Sequence, residues 1–310
     1  MHNLGIIDSA VYGGRMLARV TRKSVWPFWF TAGVYATLLL LQGAKPALMQ
    51  VYQELEIALT MALGSFVAGG TALGGGAVAF PIMTKLLDIE PATAKVFSLA
   101  IQSFGMTAAS LTIICRGIPY YRNVVLLALP MASLGVILSL LYVAPVVPRL
   151  WVKSVFSVLL LCFSVTMLVR WWRKAHHEQS IDNIHPHPQR LMLVAFIGGL
   201  ASGLVGSGAD IALFALLLLC YKADVKKATA TSVLVMAFTS VIGSLINVGY
   251  LQQITPEIHS YLLAAIPVVV IGAPLGAYVC AKVKVGYVVM FLLSLIVLEA
   301  GMTGYELVSS

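Results

Sequence analysis

Charge is what this chain has least of. Lys, Arg, Asp and Glu together make up 10% of its 310 residues, where an ordinary soluble domain has about 25%, so a water-facing surface cannot be covered. Acidic side chains are the scarcer sign, 12 against 20 basic ones. Long polar stretches are also missing: the single extended polar connection is 173–190, and no soluble domain fits beside the apolar segments. Cysteine is sparse and unpatterned. Cys115, Cys162, Cys220 and Cys280 stand singly in apolar surroundings with no C-x-x-C spacing, which argues against a disulfide framework or a thiolate metal site. The histidines of the connection, His176, His177, His185 and His187, have no His-x3-His pair or cysteine beside them and read as part of a solvated linker. Neither a metal nor a cofactor is expected.

Apolar residues fill the space that charge leaves. They make up 60% of the chain, and its mean hydropathy is +0.94, the composition of an all-α polytopic membrane protein whose first partner is the lipid bilayer. A spanning helix takes about 20 apolar residues, and segments of this kind run near 26–43, 57–88, 91–115, 119–144, 150–172, 191–221, 226–250, 258–281 and 285–304. Net charge +8 does not point to nucleic acid, because the basic residues gather at helix ends, as positive-inside bias requires. Arg15, Arg19, Arg22 and Lys23 precede the first apolar run, a pattern that signal peptides share. The aromatic belt of Trp26, Phe28, Trp29 and Phe30 favours an uncleaved helix instead. The expected organisation is a basic segment and first helix over 1–50, a first repeat over 51–172, a polar linker over 173–190 and a second repeat over 191–310.

Two of the apolar segments are broken by glycine. Gly74-Gly75-Gly76 interrupts the first, and Gly206-Ser207-Gly208 the second. Backbone that leaves the helix inside a bilayer persists only where protein or a wet cavity satisfies it, and a matched pair of such breaks points to a transporter's binding site. The similarity of the halves extends further. Ser98 pairs with Ser232, Ser110 with Ser244, Pro130 with Pro267 and Gly135 with Gly272.

The broken segments are too long for a single crossing. As one straight helix, 57–88 would reach about 48 Å, against a hydrocarbon core of about 30 Å. Read as re-entrant hairpins with the glycines at their tips, they leave only Lys45, Lys85, Lys95, Arg149 and Lys153 of the basic residues outside, fewer than full crossings would leave. The expected fold is therefore two inverted repeats, each a broken re-entrant helical hairpin plus three transmembrane helices, with an extra N-terminal helix.

A half-helix that starts within the membrane offers unpaired N–H groups and the positive end of its dipole, an anion site. Gly74, Gly75 and Gly76 at one tip, and Gly206, Ser207 and Gly208 at the other, are the candidate substrate-binding residues, glycine allowing a ligand to approach the backbone closely. The helices that follow carry Ser98, Gln102 and Ser232 within two turns of the hairpin ends. These are further candidates, although such residues also bond helix to helix. Asp210 is the one acidic residue deep in the second hairpin. It can carry the proton of a proton-coupled cycle or cap the half-helix.

These motifs resemble the sulfite exporter TauE/SafE family. The likeness rests on Gly-Gly-Gly-Ala-Val-Ala-Phe-Pro81 and Pro91-Ala-Thr-Ala-Lys-Val-Phe-Ser98, and in the second half on Gly199-x3-Gly203-x2-Gly206-Ser-Gly208 and Lys227-Ala-Thr-Ala-Thr-Ser232. It covers about 57–304. The resemblance implies a secondary transporter, not an enzyme, that moves sulfite, thiosulfate or an organosulfonate. It also implies a multi-pass protein of a prokaryotic inner membrane, for which self-association into a homo-oligomer stays open. The second hairpin departs from the first in lacking a proline equivalent to Pro81 and in carrying Asp210. Two other functions fit the sequence less well. An intramembrane hydrolase built on Gly206-Ser-Gly-Ala-Asp210 lacks the glycine at Val205 or Ala209 that its motifs require, and a membrane scaffold would need no accessible cavity.

Overall fold

The computed structural model describes residues 26–71, 79–80, 82–175, 184, 186–283 and 290. Every extended element among them is helical. In chain order they are α1 (Trp26–Gln42), α2 (Ala44–Gln53), α3 (Leu55–Gly70), a π-helical turn Ile82–Leu86, α4 (Pro91–Cys115) and α5 (Arg122–Leu138) with its π turn Ser139–Val143. There follow α6 (Arg149–Ala175), α7 (Pro188–Val205), α8 (Ala209–Leu219), α9 (Val225–Leu245) with its π turn Ile246–Tyr250, and α10 (Pro256–Lys282). Five stretches, Pro91–Cys115, Arg122–Val143, Pro188–Val205, Val225–Tyr250 and Pro256–Lys282, are long and apolar enough to cross a membrane. The glycines 74–76 and, apart from residue 290, the expected segment 285–304 lie outside the described residues.

The helix boundaries follow from local chemistry. Pro91, Pro188 and Pro256 open α4, α7 and α10, where the missing N–H of proline costs no bond. Asp224 caps α9 by accepting from Lys227 N at 3.0 Å, and Thr255 caps α10 by accepting from Ile258 N at 3.2 Å.

The backbone carries matching corners in the two parts of the chain. Asp88 and Lys222 adopt positive φ, 53° and 50°, a region that costs a non-glycine residue energy. Each corner is closed by the same kind of bond, Ile89 N to Met83 O at 2.8 Å and Ala223 N to Leu217 O at 3.0 Å. A second pair of positive-φ residues, Gly117 and Gln252, follows α4 and α9. Just before the first corners stand Phe80 and Phe214, both buried, each packed on a phenylalanine of α6: Phe156 at 4.9 Å and Phe163 at 5.5 Å between ring centres.

Packing is reciprocal between the halves. α3 of the first half lies on α10 of the second, α7 of the second lies on α5 of the first, and α4 and α9 pack on each other at the centre. Because lipid offers no hydrophobic drive for helix association, small residues and close backbone approach supply it. A Cβ on Gly69 would lie 1.8 Å from Ala273 O, and one on Gly276 2.0 Å from Phe66 O. The other interface has the same character: a Cβ on Gly199 would lie 2.1 Å from Ala132 O, and one on Gly135 2.3 Å from Phe196 O.

Helix α1 docks on α10 through hydroxyls. Thr31 Oγ1 donates to Val270 O at 3.2 Å and Tyr35 OH to Pro267 O at 2.7 Å. Pro274 lies four residues beyond Val270 and has no N–H to give that carbonyl, so the threonine satisfies an acceptor that the proline leaves open.

Candidate functional site

The second hairpin is described through its tip, and its chain turns back on itself there. α7 ends at Gly206, whose φ of 86° is the left-handed conformation of a glycine C-cap. Its N–H bonds Ser202 O at 2.8 Å. Beyond it, a Cβ on Gly208 would sit 2.8 Å from the Ala201 Cβ, and one on Gly198 2.9 Å from the Ala212 Cβ. Contacts that move outward on both arms together mean that α7 and α8 run antiparallel. The 11 residues of α8 span about 16 Å, roughly half of a hydrocarbon core.

The N–H groups at the start of α8 already have partners. Asp210 Oδ1 accepts from Ile211 N at 2.9 Å and Gly208 N at 3.1 Å, with Ser207 Oγ at 3.4 Å. Ser202 Oγ, on the first arm, accepts from Ala209 N at 2.8 Å. The carboxylate thus gathers these N–H groups from within the first turn of α8, while Gly208 stands at the N-cap position. Its other oxygen, Oδ2, is buried without a hydrogen-bond partner among the described residues.

Helix α4 reaches the same tip. Ser98 and Gln102, one turn apart and so on one face, form a short chain: Gln102 Nε2 donates to Ser98 Oγ at 2.7 Å and to Gly206 O at 2.8 Å. A Cβ on Gly206 would lie 2.8 Å from the Ser98 Cβ; the glycine is needed both for its φ and for this approach. Gln102 Oε1 has no partner among the described residues. The structure therefore brings together Ser98, Gln102, Gly206, Ser207, Gly208 and Asp210.

Ser232 is not joined to this tip. Its hydroxyl donates to Thr229 O at 2.9 Å within α9. The first tip's glycines, Gly74, Gly75 and Gly76, lie outside the described residues. Ser202 was not foreseen from sequence. It sits one turn before Gly206 on the glycine-lined arm, and that position was the available signal.

The assembled residues are shut off from water. Ser98, Ser202, Ser207 and Asp210 are 0% exposed and Gln102 2%. A cavity that touches Gln102, between α3, α4 and α10, has a volume of about 10 Å³, room for one water at most. A cavity of about 780 Å³ lies between α1, α4, α9 and α10 and is lined mainly by apolar side chains such as Trp29, Phe30 and Phe104. It reaches Ser103 and Ser244 but none of the tip residues. Among the described residues, the tip is thus occluded.

No curated protein and no solved structure matches the chain. The model of the family described as Sulfite exporter TauE/SafE matches residues 57–302. That span takes in both glycine breaks, the α4 face that carries Ser98 and Gln102, and the occluded tip with Asp210, and it leaves α1 outside. On that match the chain belongs to the sulfite exporter TauE/SafE family, a family of integral membrane transporters.

Proposed function

We propose that the protein is a secondary transporter of a small sulfur-containing oxyanion, namely sulfite, thiosulfate or an organosulfonate, and that it couples this movement to protons. The family supplies the sulfur. The observation that carries the anion reading is the start of α8, a half-helix beginning inside a membrane-embedded bundle with its N–H groups gathered on one negatively charged acceptor. A site that holds a carboxylate in this way is built for negative charge.

The two repeats are inverted in this reading. The reciprocal packing of α3 on α10 and of α7 on α5 supports a pseudo-twofold relation, and inverted repeats would let the two tips meet from opposite sides. Alternating access then consists of one hairpin and its neighbours rocking against the other, which opens the tip first to one side and then to the other. Sidedness follows from the basic residues, with the N-terminus in the cytoplasm of a prokaryotic cell.

Flux into proteoliposomes tests this directly. The purified protein is expected to exchange labelled sulfite or thiosulfate across the membrane, and Ser207→Leu to abolish that exchange while still inserting, because a leucine side chain would fill the tip. Normal exchange in the variant would assign the glycine-serine turn to helix contact alone. A hydrolase or a scaffold would show no exchange in either protein.

A further inference from the structure

The start of α8 is a helix N-terminus that the chain has answered from within. Gly208 N and Ile211 N spend their bonds on Asp210 Oδ1, and Ala209 N spends its bond on Ser202 Oγ. Among the described residues, two acceptors in the same corner have nothing to accept, Asp210 Oδ2 and Gln102 Oε1, on side chains 0% and 2% exposed. Buried polar atoms are nearly always paired, and a buried carboxylate with one bare oxygen is an expensive arrangement. What the corner lacks is a donor, and one proton on Oδ2 supplies it.

Among the described residues, the neighbouring elements bring no ion-pair partner to Asp210. α8 has no ionisable residue besides Asp210, and α7 has only Arg190, in its first turn. On α9 the ionisable residues are Lys226 and Lys227, again in the first turn, where Lys226 Nζ bonds Ala281 O at 2.7 Å. α4 contributes Lys95 and, at its far end, Cys115. Of the ionisable residues of α6, namely Arg149, Lys153, Cys162, Arg170, Arg173 and Lys174, Arg173 bonds Leu218 O and Leu219 O at the other end of α8. Among the described residues, Asp210 is held by amides and a hydroxyl, not by a counter-ion.

We infer that Asp210 is a tethered stand-in for the transported anion: its carboxylate occupies the N–H groups of Gly208 and Ile211, and a substrate anion takes them over as Asp210 accepts one proton. This rests on the anion-transport reading and specifies how the proton enters it. The step balances simply. One O–H bond forms on the carboxylate with a proton from the aqueous side, one anion enters, and the two amide hydrogen bonds pass from carboxylate to anion. For a singly charged substrate the net charge of the corner is the same before and after. Whatever the substrate's charge, the ionised carboxylate and the substrate anion never share it, an approach of like charges that would be costly.

Proton counting tests the inference without any variant. In a weakly buffered detergent solution with a pH indicator, the full-length protein is titrated with thiosulfate, methanesulfonate and sulfite. Thiosulfate and methanesulfonate keep their own charge through the neutral range. Binding of either is expected to take up about one proton, and its affinity to fall about tenfold per pH unit as pH rises through the range of uptake, by linkage. Asp210→Asn is expected to bind with no uptake and no pH dependence. Binding by the wild type without proton uptake overturns the inference and leaves anion transport standing, as does equal uptake in Asp210→Asn. Failure of all three anions to bind overturns both. If the variant does not fold, the wild-type proton count decides.

Discussion

The two hairpins share a frame and differ in what stands at their tips. Both first arms carry glycines that pack against the backbone of a helix from the other half. Both second arms carry a buried phenylalanine against α6, and both end in a left-handed corner closed by the same bond. Between Thr71 and Lys85, however, the first hairpin has no acidic residue, while the second has Asp210 three residues after Ser207. The frames match, and the acidic group stands in one of them alone. In the proposed cycle, similar helices on both sides suit alternating access, whereas a single acidic group would give one proton-dependent step in place of two.

The most decisive break in this comparison is sidedness. Asp88 and Lys222 occupy the same corner of the two repeats, so inversion expects single-cysteine variants at 88 and 222 to react with an impermeant thiol reagent from opposite faces of oriented vesicles, 88 from outside and 222 from the cytoplasm. The effect is all or none. Labelling of both from one face would make the repeats parallel and remove the charge argument for re-entrant hairpins.

Next in size is the equivalence of the glycine interfaces. Gly199→Val and Gly276→Val each drive a side chain into carbonyl oxygens that already lie 2.1 and 2.0 Å from a built Cβ, and overpacking of this kind costs about 1–3 kcal/mol, more where backbone must move. Both should lower the unfolding temperature in detergent strongly and to a similar degree. Gly33→Val, at a position with nothing within 4 Å of the built Cβ, should not. A large loss in one interface variant and none in the other would show that the halves are not mechanically equivalent.

Asp210→Asn sharpens the chemical half of the comparison. Asparagine keeps the shape and an acceptor oxygen but stays neutral. Uphill uptake driven by a pH gradient should therefore disappear, while counterflow of labelled anion persists. Gradient-driven uptake at the wild-type level would leave Asp210 as a cap alone, a role that asparagine fills well. Loss of both activities would indicate that the site binds a cation.

Much of this architecture is legible in the sequence because membrane helices are written in hydropathy and their breaks in glycine. Segments 91–115 and 226–250 coincide with α4 and with α9 plus its π turn, and the break at 206–208 is where the chain reverses. Side-chain partners are not legible in the same way. Spacing gives Ser98 and Ser232 equal standing, yet one accepts from Gln102 beside the tip and the other turns its hydroxyl to its own helix. That choice depends on which carbonyl a neighbouring element presents. Ser202 was overlooked for a related reason, since its acceptor role exists only once the second arm folds back and brings Ala209 N within 2.8 Å. The docking of α1 through Thr31 and Tyr35 likewise depends on carbonyls of α10 more than 200 residues away.

The smallest expected effect separates those two serine-bearing helices. Gln102 ties α4 to the second tip by a bond to Gly206 O, and its loss leaves a buried carbonyl without that donor, a cost of about 1–3 kcal/mol. If the tie positions the tip for substrate, Gln102→Leu should lower exchange flux about tenfold with the amount of inserted protein unchanged. Ser232→Ala removes only a hydroxyl that back-bonds within α9, an interaction of little net value, and should leave flux within about twofold. The reverse order would change the assignment of the two helices. A strong loss in Ser232→Ala with a mild one in Gln102→Leu would mean that substrate meets α9 directly, and that the bond from Gln102 to Gly206 only holds the hairpin in place.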